Sequence, residues 1–395
     1  MLKLALGCAL FGLVTCGFFD FSEVDDPFAM LWNSHVGQKL RECSVDGNTK
    51  GTCMDKSACL QSGGKPIFSK CPFFKTCCSY SDKNNCVGES NAKQGHFESG
   101  KVATNLTDCR YTINLKNRNV CQVRLDFEEL VLAPTVKVDS TAGEQFMCTD
   151  DYLKISPSYY GIPILCGPNT NQHVYVHFNL TERPDQAVTI EIHLKNRVDY
   201  PKLVVPSWKI KFTQLECPLK RPKFDPATYG EVGHINNDFN LLAPHGAIQY
   251  FPDSSGNLSS FGYTGTDNYV MPLYYAIAFR RPASTCGVKF SNVNIAAASG
   301  MDATVKVCYH YLFVPEATAI TISARSNSLS LLGASVAEDY GDHFCGTISN
   351  SDILSAPPGP FYIHFKATSV LTAVNNVYPS DTTGFSMNYE ITSCS

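Results

Sequence analysis

The sequence predicts an all-β protein in which two antiparallel β-sandwiches follow a small module held together by disulfide bonds. Apolar and polar residues alternate with a period of two in runs such as His173–Phe178 and Thr189–Leu194, as in strands that bury one face. Aromatic residues make up 11% of the 395 residues and charged residues only 17%, which favours sheets over helical bundles. The chain also has 18 cysteines, which indicates an oxidising compartment and disulfide bonds.

The length of the chain indicates its number of domains, and its charge excludes one class of partner. At about 100–200 residues per domain, the chain is long enough for two to four domains. The 32 Lys and Arg against 36 Asp and Glu give a net charge of −4 without long blocks of one sign. A nucleic-acid binder needs a basic face, so we expect no nucleic-acid partner.

Residues 1–17 have the pattern of a signal peptide. Lys3 precedes an apolar run, and small residues close the segment at Gly17, as a signal peptidase requires. The run is shorter than the ~20 residues that span a bilayer, and no later run is longer without interruption. An uncleaved anchor is the less favoured alternative, so we expect a secreted, extracellular protein without a membrane span. Removal of Cys8 and Cys16 with the signal leaves sixteen cysteines.

Residues 18–42 contain no cysteine and mix acidic with large apolar residues. We interpret them as a linker or N-terminal arm, with a short peptide motif for a partner as the alternative. Three glycosylation sequons begin at Asn105, Asn179 and Asn257, and each is an acceptor if its Asn is exposed.

Residues 43–80 form a unit too small for an adequate apolar core, so it must be cross-linked. Its six cysteines are Cys43, Cys53, Cys59, Cys71, Cys77 and Cys78. Their spacing alone leaves 15 connectivities open. A zinc site is the alternative, but the stretch contains no histidine, and secretion favours oxidation.

The adjacent Cys77 and Cys78, with Cys53 and Cys59 upstream, make this unit similar to the clip domain of arthropod extracellular proteins. The resemblance implies the pairs Cys43–Cys77, Cys53–Cys71 and Cys59–Cys78. It also implies a role in innate immunity or proteolytic cascades. In that family a trypsin-like protease domain often follows, and no such domain is evident here.

Residues 86–217 contain several alternating runs separated by Pro and Gly, which predicts a β-sandwich. The motifs around Cys86, Cys109-Arg110-Tyr111, Cys148-Thr149-Asp150-Asp151-Tyr152 and Leu165-Cys166-Gly167 resemble a CUB domain, an antiparallel sandwich of extracellular proteins. The resemblance implies the bonds Cys86–Cys109 and Cys148–Cys166.

Residues 218–395 repeat this plan in a more divergent form. Thr285-Cys286-Gly287 parallels Val120-Cys121-Gln122, Phe344-Cys345-Gly346 parallels Leu165-Cys166-Gly167, and both parts close on a strand that ends in cysteine. We therefore expect a second CUB-like sandwich with a Cys308–Cys345 bond. The cysteines left over occupy matching places, which predicts Cys121–Cys217 and Cys286–Cys394. A bond between repeats, such as Cys217–Cys286, or between molecules is the alternative.

The sequence shows no catalytic motif, since it has neither a glycine-flanked nucleophilic serine nor a His-Glu-x-x-His helix. We therefore expect no enzymatic activity. His173 and His177 share one face of a strand and could ligate a metal, but a structural role is favoured because no third ligand is evident.

Calcium is the one cofactor that the CUB resemblance implies, and Asp151, with Asp150 beside it, matches one ligand position of the family. Where the family has a Glu, this sequence has Leu132-Ala133-Pro134. The alternative is that Asp151 is a turn or surface acid. No matching acid follows Cys308, so we expect no calcium in the second repeat.

The predicted function is that of a secreted, non-enzymatic interaction protein that binds protein or glycan partners. The loops Pro157–Tyr160 and Tyr263–Tyr269 are candidate contacts, because Tyr-, Ser- and Gly-rich loops suit recognition. Arthropod innate immunity or protease-cascade regulation is the expected context. The alternatives are a structural or adhesive component of extracellular matrix, eggshell or cuticle, and a hydrolase of unrecognised type.

Overall fold

The structure is a computed structural model. It describes residues 42–44, 50–54, 56–61, 65–67, 71, 75–79, 86–100, 102–116, 119–140, 143–178, 187–217, 238–282, 284–302, 305–321, 342–357, 359–369 and 382–394. The predicted signal peptide, nearly all of the arm and Asn179 lie outside these residues. The chain divides into two compact units, Met1–Ser81 and Asp82–Ser395. No helix among the described residues is long and apolar enough to cross a membrane.

The first unit is a small sheet with one short helix. Its elements are β1 (Glu42–Ser44), β2 (Lys50–Met54), α1 (Lys56–Gln61), β3 (Lys65–Ile67) and β4 (Thr76–Ser79). The strands pair antiparallel in the order β1-β2-β4-β3. Disulfide bonds join Cys43 to Cys77, Cys53 to Cys71 and Cys59 to Cys78. Cys59, Cys77 and Cys78 are fully buried, so sulfur fills the interior that so short a chain cannot fill with apolar side chains.

The second unit begins with a β-sandwich. Its strands are β5 (Val87–Ser90), β6 (Gln94–Glu98), β7 (Asp108–Asn114), β8 (Val120–Val131), β9 (Val136–Ser140), β10 (Gly143–Met147), β11 (Tyr152–Ser156), β12 (His173–His177), β13 (Ala187–His193) and β14 (Ser207–Glu216). One sheet has the order β11-β13-β7-β5 and the other β12-β8-β14-β6, with β9 and β10 as a separate ribbon.

Alternation places the apolar side chains between these two sheets. In β13, Val188, Ile190 and Ile192 are buried while their neighbours are more exposed. The largest buried side chains of this core include Tyr111 and Trp208. Burying a fully apolar side chain of this core, such as Phe127, contributes roughly 1.5–3 kcal/mol.

A second sandwich follows with the same plan. Its strands are β15 (Ala247–Phe251), β16 (Ser255–Ser259), β17 (Leu273–Phe279), β18 (Thr285–Ala297), β19 (Ser299–Asp302), β20 (Val305–Cys308), β21 (Tyr311–Phe313), β22 (Ala317–Thr321), β23 (His343–Phe344), β24 (Gly346–Ser355), β25 (Phe361–Ala367) and β26 (Gly384–Ser393). A 3₁₀ turn at Phe239–Leu241 precedes them. The sheets have the orders β15-β17-β25-β21-β23 and β16-β26-β18-β24-β22.

The predicted all-β class and the two sandwiches are confirmed, with one difference in each. Pairing is antiparallel except that β5 runs parallel to β7 and β15 runs parallel to β17. The strand between each pair, β6 or β16, belongs to the opposite sheet. The chain therefore crosses the sandwich twice and returns in its original direction, which a hairpin cannot do.

Candidate binding surfaces

Four of the five disulfide bonds that the structure describes in the second unit lie at matching places in the two sandwiches, and Cys86–Cys109 is found in the first sandwich alone. The structure joins Cys86 to Cys109, Cys148 to Cys166, Cys308 to Cys345, Cys121 to Cys217 and Cys286 to Cys394. The last two bonds tie the start of the long strands β8 and β18 to the ends of β14 and β26. They close segments with sequence separations of 96 and 108 residues, and in the chain-entropy account such long loops gain the most from a cross-link.

Two of the three sequon asparagines are described, and both are exposed: Asn105 in a turn and Asn257 on β16. We expect both to carry N-linked glycans when the protein is made in a secretory pathway. Peptide-N-glycosidase treatment in heavy-oxygen water, followed by peptide mass spectrometry, should mark each as a labelled aspartate. Unlabelled, intact Asn105 and Asn257 peptides would contradict this expectation.

Asp151, a predicted calcium ligand, is fully buried and surrounded by nitrogen donors. Its Oδ1 accepts from the backbone N–H of Lys195 at 3.0 Å and from Arg197 Nη1 at 2.9 Å. Its Oδ2 accepts from the backbone N–H of Ala133 at 2.9 Å and from Arg197 Nη2 at 2.5 Å. The guanidinium thus holds the carboxylate at both oxygens, which is the strongest form of this pair.

Asp150, the second predicted ligand, also has a cationic partner. Its Oδ1 accepts from Lys195 Nζ at 2.7 Å, and this hydrogen bond raises the pKa of the Lys195 ammonium. The same Nζ lies 4.1 Å from the centroid of the Tyr200 ring, within the range of a cation–π contact.

These two acids do not fit the calcium site that the resemblance implies. Calcium takes six to eight oxygen ligands, whereas the groups that surround Asp150 and Asp151 are nitrogen donors: two backbone N–H groups and the cationic side chains of Lys195 and Arg197. Of the alternative that Asp151 is a turn or surface acid, the surface position is wrong, because the side chain is fully buried in an ion pair with Arg197. The sequence signal that was missed is the pair of cations at positions 195 and 197, directly after β13.

His173 and His177 lie on β12, where the first sandwich meets the second. His173 Nε2 accepts from the backbone N–H of Tyr250 at 3.0 Å, and His177 Nε2 donates to the Ala247 carbonyl at 2.7 Å. Burial lowers the pKa of both imidazoles, that of His173 to about 3. Both side chains therefore act as neutral structural groups of the junction.

Further hydrogen bonds complete this junction. Gln122 donates from Nε2 to the Ala243 carbonyl at 2.7 Å and accepts from the Ala243 N–H at 2.9 Å. The Tyr175 hydroxyl donates to the Leu241 carbonyl at 2.9 Å. The Gln122 bonds join β8, and the Tyr175 bond joins β12, to the segment that leads into β15. The two sandwiches are therefore connected by hydrogen bonds.

The two candidate recognition loops have different positions. The loop Tyr263–Tyr269 contacts the first sandwich, since the Asn268 carbonyl accepts from Thr135 Oγ1 at 2.7 Å. Its last residue, Tyr269, is buried against His310 of the second sandwich. In the loop Pro157–Tyr160, both tyrosines are exposed, although Tyr160 also contacts His245.

A row of aromatic and histidine side chains lies on the outer face of the second sandwich. We name it the aromatic–histidine face, and it comprises Tyr274, Tyr311, Phe313, His343, Tyr362 and His364. Strand pairing places Tyr274 opposite Lys366 and His364 opposite Phe313. The rings form a continuous surface, with centroids 6.0 Å apart between Tyr274 and His364 and 5.1 Å apart between Phe313 and His343.

Several rings of this face are accessible to solvent, with Tyr274 63% and Tyr362 38% exposed. Desolvation lowers the pKa of His343 and His364, which favours the neutral imidazoles. Gly161 of the neighbouring loop lies beside Tyr274, because a Cβ added there would be 3.8 Å from the Tyr274 carbonyl oxygen. The sequence signal is aromatic residues at alternate positions, which here fall on the outward side of the strands.

Comparison with known proteins relates this chain to one family model and to several solved structures. No curated protein matches it. Among solved structures, it is similar to the CUB1-EGF-CUB2 domains of rat MASP-1, with 13% identity and a TM-score of 0.21 over 77% of this chain and 99% of that chain. The CUB1-EGF-CUB2 domain of human MASP-1/3 gives 12% identity and a TM-score of 0.22 over 76% and 100%. The full extracellular region of zebrafish Gpr126/Adgrg6 gives 10% identity and 0.21 over 79% and 37%.

The sequence of the second sandwich itself matches a family model, described as the animal CUB domain, over residues 244–392. These residues run from just before β15 to the last residues of β26. The second sandwich is therefore the part of the chain that is similar to the animal CUB domain.

Proposed function

We propose that this chain is a secreted, non-enzymatic binding protein that recognises an extracellular protein through its aromatic–histidine face. The observation that carries this proposal is the exposure of adjacent aromatic rings on the outer face of a rigid sheet. Tyrosine and other aromatic side chains dominate protein-binding hot spots because they bury a large area at a small cost in conformational entropy.

The surroundings of this face support a protein partner. Its rings adjoin Lys366, whose Nζ lies 5.6 Å from the Tyr311 ring centroid, and two imidazoles that can donate or accept hydrogen bonds. A mixed aromatic and polar surface of this kind resembles the hot-spot composition of protein interfaces. The CUB match at residues 244–392 supports the same class of function, because CUB domains commonly mediate protein–protein interactions.

Our proposals for the rest of the chain depend on its resemblance to the CUB and clip families. We propose that the first sandwich is also a CUB domain and that residues 43–80 are a clip-like module following a cleaved signal peptide at 1–17 and an arm at 18–42. The six-cysteine pattern supports a place in arthropod innate immunity or protease-cascade regulation. A structural or adhesive role in matrix, eggshell or cuticle is the second candidate, favoured by the eight cross-links.

The test compares capture by three forms of the mature chain, each immobilised through a C-terminal tag and incubated with arthropod haemolymph. The double variant Tyr274→Ser/Tyr362→Ser removes the two most exposed rings of the face. Val87→Ser is the matched control, since Val87 is an exposed apolar residue on β5 of the other sandwich. Loss of a single hot-spot residue costs about 2 kcal/mol, so the double variant is expected to bind the partner at least about thirtyfold more weakly.

We expect quantitative mass spectrometry to find a protein that the wild type and Val87→Ser retain and the double variant loses. Its affinity is then measured with each purified form. Equal capture by all three forms would contradict the proposal. Binding of the wild type to a glycan array, lost in the double variant while protein capture is unchanged, would assign the face to glycans instead. Recovery of the native protein only from insoluble matrix would favour the structural role.

A further inference from the structure

We propose that Arg197, together with Lys195, is the permanent cation of the Asp150–Asp151 site and holds the loop at residues 194–206 without calcium. Position 151 is where the CUB resemblance implies a calcium ligand. The side chains around it supply the positive charge from within the chain. The proposal concerns how this loop is held and is independent of the aromatic–histidine face.

The first argument is the saturation of the Asp151 carboxylate. An ionised carboxylate offers about four lone-pair positions, and the four N–H donors from Ala133, Lys195 and Arg197 occupy two on each oxygen. Calcium binds oxygen at about 2.3–2.6 Å, so it would have to displace these donors. The fully buried carboxylate has no free oxygen surface from which a metal could approach.

The second argument is the saturation of the guanidinium. Arginine has five N–H donors, and Arg197 uses all five. Two reach Asp151 at 2.9 and 2.5 Å, one reaches the Lys195 carbonyl at 2.5 Å, and two reach the Val204 carbonyl at 3.2 and 2.9 Å. The side chain is only 10% exposed. A guanidinium in this position is part of the folded structure rather than a surface cation that an ion could push aside.

The third argument is charge. The two acids are matched by two cations in direct contact, through Arg197–Asp151 and Lys195–Asp150 ion pairs at 2.5 and 2.7 Å. The local charge is therefore balanced. A divalent cation at this point would face two positive groups within the first layer of contacts, and such repulsion is costly where the surroundings exclude water.

The bonds of Arg197 also explain what the site does. One guanidinium connects the base of the loop, at Asp151 and Lys195, to Val204 at its far side. Lys195 Nζ additionally lies over the Tyr200 ring at 4.1 Å. The loop thereby presents exposed Val198 and Val205, 64% and 78% accessible, in a position that needs no added ion. The Arg197–Asp151 ion pair thus fixes the loop that carries these two exposed valines.

The experiment follows cleavage of the exposed Lys202–Leu203 bond by trypsin, measured by mass spectrometry in the mature, folded chain. Wild type is compared in excess calcium and in excess EDTA, together with calcium titration calorimetry. We expect the same cleavage rate in both media and no calcium binding heat. Arg197→Gln should raise the rate at Lys202 by about tenfold or more, because loop opening no longer breaks the ion pair. Arg197→Lys should fall between the two, since lysine keeps the charge but not the fork.

Arg110→Gln is the matched control. Arg110 lies on β7 of the same sandwich, and its side chain makes a long, exposed contact to Glu191 at 3.9 Å, so its replacement should leave the rate at Lys202 unchanged. Faster cleavage of wild type in EDTA, or a saturable calcium isotherm, would overturn the proposal. So would an Arg197→Gln variant cleaved at the wild-type rate. If Arg197→Gln does not fold, the calcium and EDTA comparison on wild type and Arg197→Lys decides the matter.

Discussion

Replacing Asp151 with asparagine is expected to lower the free energy of unfolding by about 3–5 kcal/mol, the cost of leaving one partner of a buried ion pair without the other. Asparagine has nearly the same shape, but its amide cannot neutralise the Arg197 guanidinium. Its NH₂ group would also face one of the N–H donors from Ala133 or Arg197. Urea unfolding should show the loss through the fluorescence of Trp208, which is buried in the core of the same sandwich.

Asp150→Asn is the control for this prediction. It removes a carboxylate one residue away whose partner, Lys195, is more exposed than Arg197, with 32% against 10% of the side chain accessible. The loss should therefore be much smaller. The double variant Asp151→Asn/Arg197→Gln should lose less free energy of unfolding than the two single variants lose together. The reason is that the second change removes the charge that the first left unpaired. Equal losses of unfolding free energy in Asp150→Asn and Asp151→Asn would show that the buried Asp151–Arg197 pair stabilises the protein no more than the more exposed Asp150–Lys195 pair does.

Much of the fold could be predicted from local sequence patterns. Alternation with a period of two identified strands such as β12 and β13, because the pleat sends successive side chains to opposite faces. The parallel pairing of β5 with β7 and of β15 with β17 could not be predicted in this way. Alternation tells which face of a strand is buried, but it does not tell to which sheet the strand belongs.

The site was predicted only in part, for a similar reason. Asp150 and Asp151 were singled out by their place after Cys148, but their partners Lys195 and Arg197 lie on a loop more than forty residues away. Nothing in the spacing shows that this loop folds back onto the acids. The histidines of β12 were correctly placed on one face, yet their contacts with Ala247 and Tyr250 depend on how the sandwiches pack. Long-range packing of this kind leaves no periodic signal in a single sequence.

Acidification is expected to destabilise the junction between the two sandwiches through His173. The ring accepts a hydrogen bond from the backbone N–H of Tyr250 through Nε2 at 3.0 Å, which requires the tautomer with its proton on Nδ1. Protonation would place a second N–H at Nε2, directly against the N–H of Tyr250. Burial, and secondarily the positive charge of Arg124, lower the pKa of His173 from 6.5 to about 3.

The direction of this pH dependence follows from the difference between the pKa of His173 in the folded protein and in the unfolded chain. In the unfolded chain His173 takes up a proton as the pH falls through about 6.5, whereas in the folded protein it stays neutral until about pH 3. Because the unfolded state then binds more protons, stability is lost as the pH falls through this window. At about 1.4 kcal/mol for each pH unit, the loss from His173 alone reaches about 2 kcal/mol near pH 5.

His173→Gln isolates this contribution. The glutamine Oε1 can accept the Tyr250 N–H in place of Nε2, but it does not titrate. Other buried histidines, among them His177 and His310, also have lowered pKa values and remain in both proteins, so the quantity to measure is the difference between the two urea-unfolding series from neutral pH to about pH 4. The variant should lose less stability than wild type, by about 2 kcal/mol near pH 5. Parallel pH dependences would show that His173 carries no proton linkage and that the junction does not depend on its neutral form.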